Sequence, residues 1–326
     1  MTKKVRPATN RRQFIQHSSW SGIALASVAV AAARERAAVS KSELPRVNDP
    51  RESLRLFVKT SGDLSGAAFS RSYAGQLFAV EPGSQTRPLL SVEGFGLGWT
   101  RLQADGSCHQ AWRELLIFKD SATDEILDQW RNPYTDEICE VSHIHNRSVN
   151  LHLKATGEPS GAIGYSFDDA RPKAVNLPWV RQGDRMVVSL DTRSVIDSPL
   201  SPIQWRRESS GLRVSLTEFA SHSALLADLT SSKLTSAPSV GTTTRLSPWL
   251  PWMMMGPVPG QVILRCQTRK APGMAAIAPQ LREFAARRFP DFLQVPSEAD
   301  YALPTETSWS VFSRERKPWA AARSPA

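Results

Sequence analysis

Between Leu54 and about Lys270, apolar and polar positions exchange over short runs that end in turn residues. Leu54-Arg55-Leu56-Phe57-Val58 reads as the first strand, closed by Ser61-Gly62-Asp63. Gln76 to Val80 runs into Glu81-Pro82-Gly83-Ser84, and Trp99 to Leu102 into Ala104-Asp105-Gly106-Ser107; both are hairpin-type punctuation. Trp112 to Phe118 is apolar enough for a central strand, and Ile138 to Leu153 alternates over part of its length. Gln182-Gly183-Asp184 precedes another strand, Arg185 to Leu190, and Arg213 to Thr217 and Gln261 to Arg265 complete the series. Short strands with turns every roughly 8–12 residues predict an all-β, mainly antiparallel sheet, closed as a large barrel or strongly curved.

Helical spacing is concentrated late. From Ala275 to Phe289, Ile277, Leu281, Phe284, Ala285 and Phe289 share one face, and Pro290 stops the run. This predicts one C-terminal helix packed on the sheet. A shorter helical stretch is expected near Ala220 to Asp228, and Gly157 to Pro178 reads as a long loop. No alternation of strand and helix occurs. Gly94-Phe95-Gly96-Leu97-Gly98 lacks a following helix and is not a dinucleotide-binding fingerprint.

The N-terminus changes the picture of where this sheet works. Asn10-Arg11-Arg12-Gln13-Phe14-Ile15 pairs two arginines just before an aromatic-aliphatic step, and an Ala/Ser/Gly-rich apolar stretch follows to Ala33. This is the pattern of a twin-arginine export signal, with A-x-A-like cleavage positions around Ala29 to Ala33. The apolar run is shorter than the about 20 residues a span requires, so no stable membrane span is expected. The expected partner is the twin-arginine export machinery, and the expected location is periplasmic or secreted. The predicted organisation is a signal segment at 1–36, one β-rich domain at 37–313 and a disordered basic tail at 314–326.

Charge follows this division. Of the formal +9, residues 1–36 carry +6 and residues 314–326 carry +3, which leaves the core formally neutral. A nucleic-acid partner needs a surplus of Lys and Arg on the folded surface, and this core has none. Cys108, Cys139 and Cys266 lie far apart, without zinc-site spacing. A chain folded in the reducing cytoplasm before export does not depend on disulfides, so these read as buried small hydrophobes.

Candidate chemistry clusters in two blocks. In Gln129-Trp130-Arg131-Asn132-Pro133-Tyr134-Thr135, a tight turn places Trp130, Arg131, Asn132 and Tyr134 together at a sheet rim. Nearby, His143 and His145 are two apart and would share a strand face; Arg147 and Val149 stand where a cupin-like site wants further ligands and cannot serve, which leaves His109 and His222 as distant candidates, and metal and cofactor are expected to be none. His143 alone could serve as a general base. The second block, Pro248-Trp249-Leu250-Pro251-Trp252-Met253, holds prolines that exclude a regular helix or central strand; it either lines an apolar pocket or plugs the core. Glu93, Glu114, Glu140 and Glu218 sit in strand-like apolar settings, where burial could push a pair of carboxyl pKa values apart. No G-x-S-x-G or Cys-His signature occurs.

These blocks, with Asn48-Asp49-Pro50, Val92-Glu93-Gly94-Phe95, Arg269-Lys270, Phe289-Pro290 and Glu306-Thr307-Ser308-Trp309, resemble a bacterial and fungal family catalogued as domain of unknown function 1838. The resemblance spans roughly residues 46–313. It implies one domain of the family type and supports export, but implies no reaction. Asn146-Arg147-Ser148-Val149 departs from the Asn-Asp-Pro-Val common in that family.

The first functional expectation is an exported protein holding a hydrophobic or aromatic small molecule, with Trp130, Tyr134, Trp249, Trp252 and Met253 lining the cavity and Arg131 fixing a polar group. The second is a metal-independent isomerase, lyase or hydrolase in the same cavity. There His143 would be the base, Arg131 and Asn132 would stabilise negative charge, and Glu93 or Glu218 would be the partner acid. The third is a structural envelope protein with no ligand site.

Overall fold

The computed structural model describes residues 45–155, 163–166 and 173–318. The expected signal segment 1–36, parts of the 157–178 segment and the end of the tail from residue 319 lie outside the described residues.

Helix comes first, where a strand was expected. Pro50–Ser61 forms α1, and Leu54 to Val58 lie inside it. Asp49 is the N-cap: its Oδ1 accepts from the Arg51 and Glu52 backbone N–H groups at 2.9 and 3.3 Å. Pro50 then occupies the first turn, where its missing N–H costs nothing. These local signals outweigh the β-like composition of the run. The far end of α1 is tied down by the buried Lys270, whose Nζ donates to the Lys59 and Gly62 carbonyl oxygens at 2.9 and 2.8 Å.

The strands follow: β1 (Phe69–Val80), β2 (Arg87–Leu102), β3 (Cys108–Lys119), β4 (Gln129–Arg131), β5 (Ile138–Glu140), β6 (Ile144–Ala155), β7 (Ile163–Ser166), β8 (Lys173–Val175), β9 (Trp179–Gln182), β10 (Arg185–Asp197), β11 (Arg213–Leu225), β12 (Ser239–Ser247) and β13 (Gln261–Pro272). β4 and β5 form a small hairpin of their own. The other eleven make one sheet, ordered β8-β7-β6-β3-β2-β1-β13-β12-β11-β10-β9, with neighbouring strands antiparallel. The sheet curls until β8 approaches β10. β7 and β8 arise where a long loop was expected, and the predicted 220–228 helix is reduced to α2 (Leu226–Thr230), because β11 runs on to Leu225.

Glycine allows the curl. A Cβ on Gly94 would stand 2.3 Å from the Leu115 carbonyl oxygen and 2.7 Å from the Leu116 Cα, so β2 and β3 can approach there only without a side chain. The glycine run that is not a nucleotide fingerprint is therefore a bend in the sheet.

Three apolar clusters fix what surrounds the concave face. α1 packs Leu54, Phe57 and Val58 on Leu151, Leu153, Val188 and Leu190, closing one end. The other end is filled by Trp249, Trp252 and Met253 against Leu77, Leu90, Phe118 and Trp130. On the convex face, α3 (Pro279–Arg288) lays Leu281, Phe284 and Ala285 on Phe95, Leu97, Leu115 and Ile117. This is the predicted C-terminal helix, shortened at both ends. It is accompanied by α4 (Glu298–Tyr301) and α5 (Ser308–Glu315), which the sequence pattern did not mark. α5 passes the expected domain end at 313, and Arg316 beyond it pairs with Glu140 at 2.5 Å. No helix among the described residues is long and apolar enough to cross a membrane.

Candidate functional site

Between the α1 end and the tryptophan end lies a cavity of about 670 Å³. Its size falls within the roughly 300–1,000 Å³ usual for small-molecule sites. Strand alternation places inward side chains from most of the sheet around it. Gln110, Trp112, Glu114 and Phe118 come from β3, Arg71, Tyr73 and Leu77 from β1, Glu218, Ala220 and His222 from β11, and Arg245 from β12. Gly96 forms part of the wall: a Cβ there would come nearest to Trp112 Cδ1 at 3.2 Å and Tyr73 Oη at 3.5 Å, with the Arg113 carbonyl oxygen at 3.7 Å. The segment Pro304 to Ser310 completes one side. It is held along β6 by the Glu306 N–H donating to the Ser148 carbonyl oxygen at 2.8 Å and by the Arg147 N–H donating to Glu306 Oε2 at 2.6 Å. Thr307 caps α5 through a reciprocal bond with Ser310, so the Glu306-Thr307-Ser308-Trp309 block is a helix start built into the cavity wall. β9 pairs only with Arg185 to Val188, and the rest of β10 borders the mouth with Asp191, Arg193 and Val195 exposed.

The middle of the cavity is a polar belt between apolar ends. Arg245 donates to Glu218 Oε2 from Nε and Nη2, both at 2.8 Å. The Asn146 amide donates to Glu114 Oε2 at 3.2 Å. Burial pushes the Glu114 carboxyl above the ordinary carboxylate range; Arg245 opposes this and Glu218 reinforces it. Burial raises the Tyr73 phenol as well, so it stays protonated. His222 is held well below its ordinary value by burial, then by Arg71 and Lys270, and is neutral. Arg245 is raised despite its burial, because Glu218 and Glu114 both favour its charge. Three buried atoms of the belt have no hydrogen-bond partner: Arg71 Nε, Trp112 Nε1 and Asn146 Oδ1.

Of the site residues that the sequence nominated, Glu218 borders this cavity, and so does Glu114, named there among the possible paired carboxyls. Trp130, Trp249, Trp252 and Met253 are 9%, 1%, 2% and 0% exposed and belong to the core that closes one end. Trp130 stacks edge-on to Trp252 at 5.5 Å, and Trp249 edge-on to Tyr134 at 5.6 Å. Tyr134 is not at an open rim: its hydroxyl donates to Glu81 Oε1 at 2.6 Å, and burial with that carboxylate pushes it up to about 12. Asn132 is a turn residue, accepting from the Tyr134 N–H and donating to the Met253 carbonyl oxygen, both at 2.9 Å. Arg131 is exposed and paired with Asp136, and Glu93 is paired with Lys119.

His143 is buried beneath the convex layer, between Phe118 and Phe284. His145 engages its neighbour's carbonyl oxygen and Glu315 instead. Among the described residues no group of three or more His, Cys, Asp or Glu side chains is arranged for a metal. The proposed catalytic set of His143, Arg131, Asn132, Glu93 and Glu218 is thus not brought together.

Sequence reasoning missed Arg71, Tyr73, Trp112 and Asn146, and noted Glu114 without choosing it. A usable signal existed. Gln110, Trp112 and Glu114 are spaced by two on one strand face, opposite a strand whose same face is Gly94, Gly96 and Gly98. A face stripped of side chains beside a face of large polar ones describes a cavity wall.

The fold and site define a curled antiparallel sheet that encloses a polar-belted cavity. The family model described as "Protein of unknown function (DUF1838)" matches residues 68–316, and the chain belongs to that family. No curated protein matches it. Among solved structures, the crystal structure of MucB in complex with MucA(peri) aligns at 10% identity over 74% of this chain and 96% of that one, with a TM-score of 0.12. The complex structure of Pseudomonas aeruginosa MucA/MucB aligns at 10% identity over 73% and 97%, also with a TM-score of 0.12. Scores this low say nothing about the fold or function of this chain.

Proposed function

We propose that this chain is an exported binding protein that holds a small molecule, apolar over most of its length and polar at one end, inside the curled sheet. The observation that carries this is the set of unpartnered polar atoms, Arg71 Nε, Trp112 Nε1 and Asn146 Oδ1, in the belt of a 670 Å³ cavity. Leaving a buried donor or acceptor unpaired costs about 1–3 kcal/mol, and a bound polar group would satisfy these. Apolar side chains on either side, from Phe57 to Leu264, suit the remainder of such a molecule.

The test is mass spectrometry of what co-purifies with the protein, compared with Gly96→Leu. A side chain at Gly96 would press into the belt beside Trp112 and Tyr73, and the nearest backbone atom, the Arg113 carbonyl oxygen, lies at an ordinary contact distance of 3.7 Å. Gly96→Leu is expected to lose the ligand, or at least about tenfold in affinity, while its thermal unfolding stays cooperative. A folded Gly96→Leu protein carrying the full load would exclude the cavity as the site.

A metal-independent enzyme in the same cavity is the second reading. It draws on Glu114, a carboxyl that burial holds toward its protonated form within the belt that includes Tyr73, as a general acid requires. A bound molecule recovered unchanged after prolonged incubation rejects it.

Export by the twin-arginine route belongs to the same proposal and rests on Arg11-Arg12 before Phe14. Replacing both arginines by lysine is expected to leave the protein in the cytoplasmic fraction. Undiminished appearance outside the inner membrane would refute that route.

A further inference from the structure

Resting on the cavity reading, we infer that the polar end of the ligand is a monoanion, a carboxylate on an apolar body, and that Arg71 is its charged partner. The belt supplies two guanidinium groups, Arg71 and Arg245. Arg245 is neutralised by Glu218, two bonds of 2.8 Å to one carboxylate oxygen. Arg71 has no such partner among the described residues: its Nη2 donates to the Ser61 carbonyl oxygen at 3.0 Å, and its Nε is buried with no acceptor. Glu114, the nearest candidate to balance it in cross-strand register, is bonded to the Asn146 amide and pushed toward its neutral form by burial. His222 is neutral. Arg71 is therefore the guanidinium of the belt that no carboxylate engages.

Donors converge at the same place. Arg71 on β1 is the register partner of Gly96 on β2, which is in turn the partner of Glu114 on β3. Over Gly96 lie the Tyr73 hydroxyl and the edge of the Trp112 ring, whose Nε1–H is buried and unpartnered. A guanidinium, an indole N–H and a phenol over a wall position that lacks a side chain suit a carboxylate, whose two oxygens accept several hydrogen bonds. A single guanidinium without a carboxylate partner matches a monoanion. A phosphate dianion would leave negative charge unbalanced in a buried site. The lining also includes Lys173 and Arg193 with Asp191 and Asp197, two basic and two acidic residues, so the rim has no strong sign of its own.

The test is calorimetric titration of the full chain, freed of bound small molecules over a hydrophobic resin, with decanoate and with decanamide. The two probes share shape and chain length and differ in charge. Decanoate is expected to bind about tenfold or more tightly than decanamide. Arg71→Gln should abolish that preference while leaving decanamide binding within about threefold, and Arg71→Lys, which keeps the charge, should restore part of it. Equal or tighter binding of decanamide by the unaltered protein, or a preference that survives Arg71→Gln, would overturn the anion inference and leave the cavity reading standing. Binding of neither probe would overturn both.

Discussion

Replacing Trp249 by alanine is expected to lower the free energy of unfolding by about 3–5 kcal/mol, among the largest effects of any single substitution in this chain. Trp249 is the largest fully buried side chain. Its ring packs within the apolar cluster that closes one end of the curled sheet, edge-on to Tyr134, and its Nε1–H donates to the Val258 carbonyl oxygen at 3.0 Å. Alanine would remove the transfer free energy of the indole, leave a void in the apolar cluster, and remove the donor to the Val258 carbonyl oxygen. Urea unfolding of the variant and the parent measures this directly. The same substitution should change the ligand preference of the cavity little, since Trp249 does not border it. A loss under about 1 kcal/mol, with altered ligand binding, would return the Pro-Trp-Leu-Pro-Trp-Met block to the cavity wall.

That block shows where a sequence can be read and where it cannot. Composition told that Pro248 to Pro257 is neither a helix nor a central strand, and the structure has a single short 3₁₀ turn, Pro251–Met253. Whether its tryptophans would face a void or fill one depends on neighbours far away in the chain, such as Leu77, Leu90 and Trp130. No local pattern encodes that. The hairpins were legible because turn chemistry is local: the positive φ at Gly83, Gly106 and Gly183 falls at the turns that were marked. α1 is hidden although Asp49 and Pro50 announce it, because the five apolar-rich residues Leu54 to Val58 fit a short strand as well as they fit a helix face. The belt was the least legible part. Arg71, Glu114, Asn146 and Arg245 meet only because the sheet curls, and the curl is carried by glycines whose role lies in what they leave out.

Lowering the pH from 7 to 4.5 should destabilise the protein by about 2–3 kcal/mol more than it destabilises His143→Asn. His143 is 5% exposed, and its Nδ1 accepts the Phe118 backbone N–H at 3.2 Å. Burial, with Arg288 and His145 adding and Asp128 opposing, holds it down to about 4 from an ordinary 6.5. Between those two values the unfolded chain takes up a proton that the folded chain refuses. Unfolding therefore binds protons in this window, stability rises with pH across it, and it is lost as pH falls from about 6.5 toward 4. At about 1.4 kcal/mol per unit, pH 4.5 lies roughly two units into the loss. Asparagine places an amide oxygen near the Nδ1 position, so it keeps the acceptor for Phe118 and removes the titration. His222, lowered in the same direction, and Glu114, raised in the opposite sense, remain in both proteins and cancel in the comparison. Urea midpoints at the two pH values supply the numbers. Parallel pH dependence in parent and variant would mean that His143 is open to water and free to take a proton. It would then again be a candidate base, and its burial under α3 could not be the reason for its place in the chain.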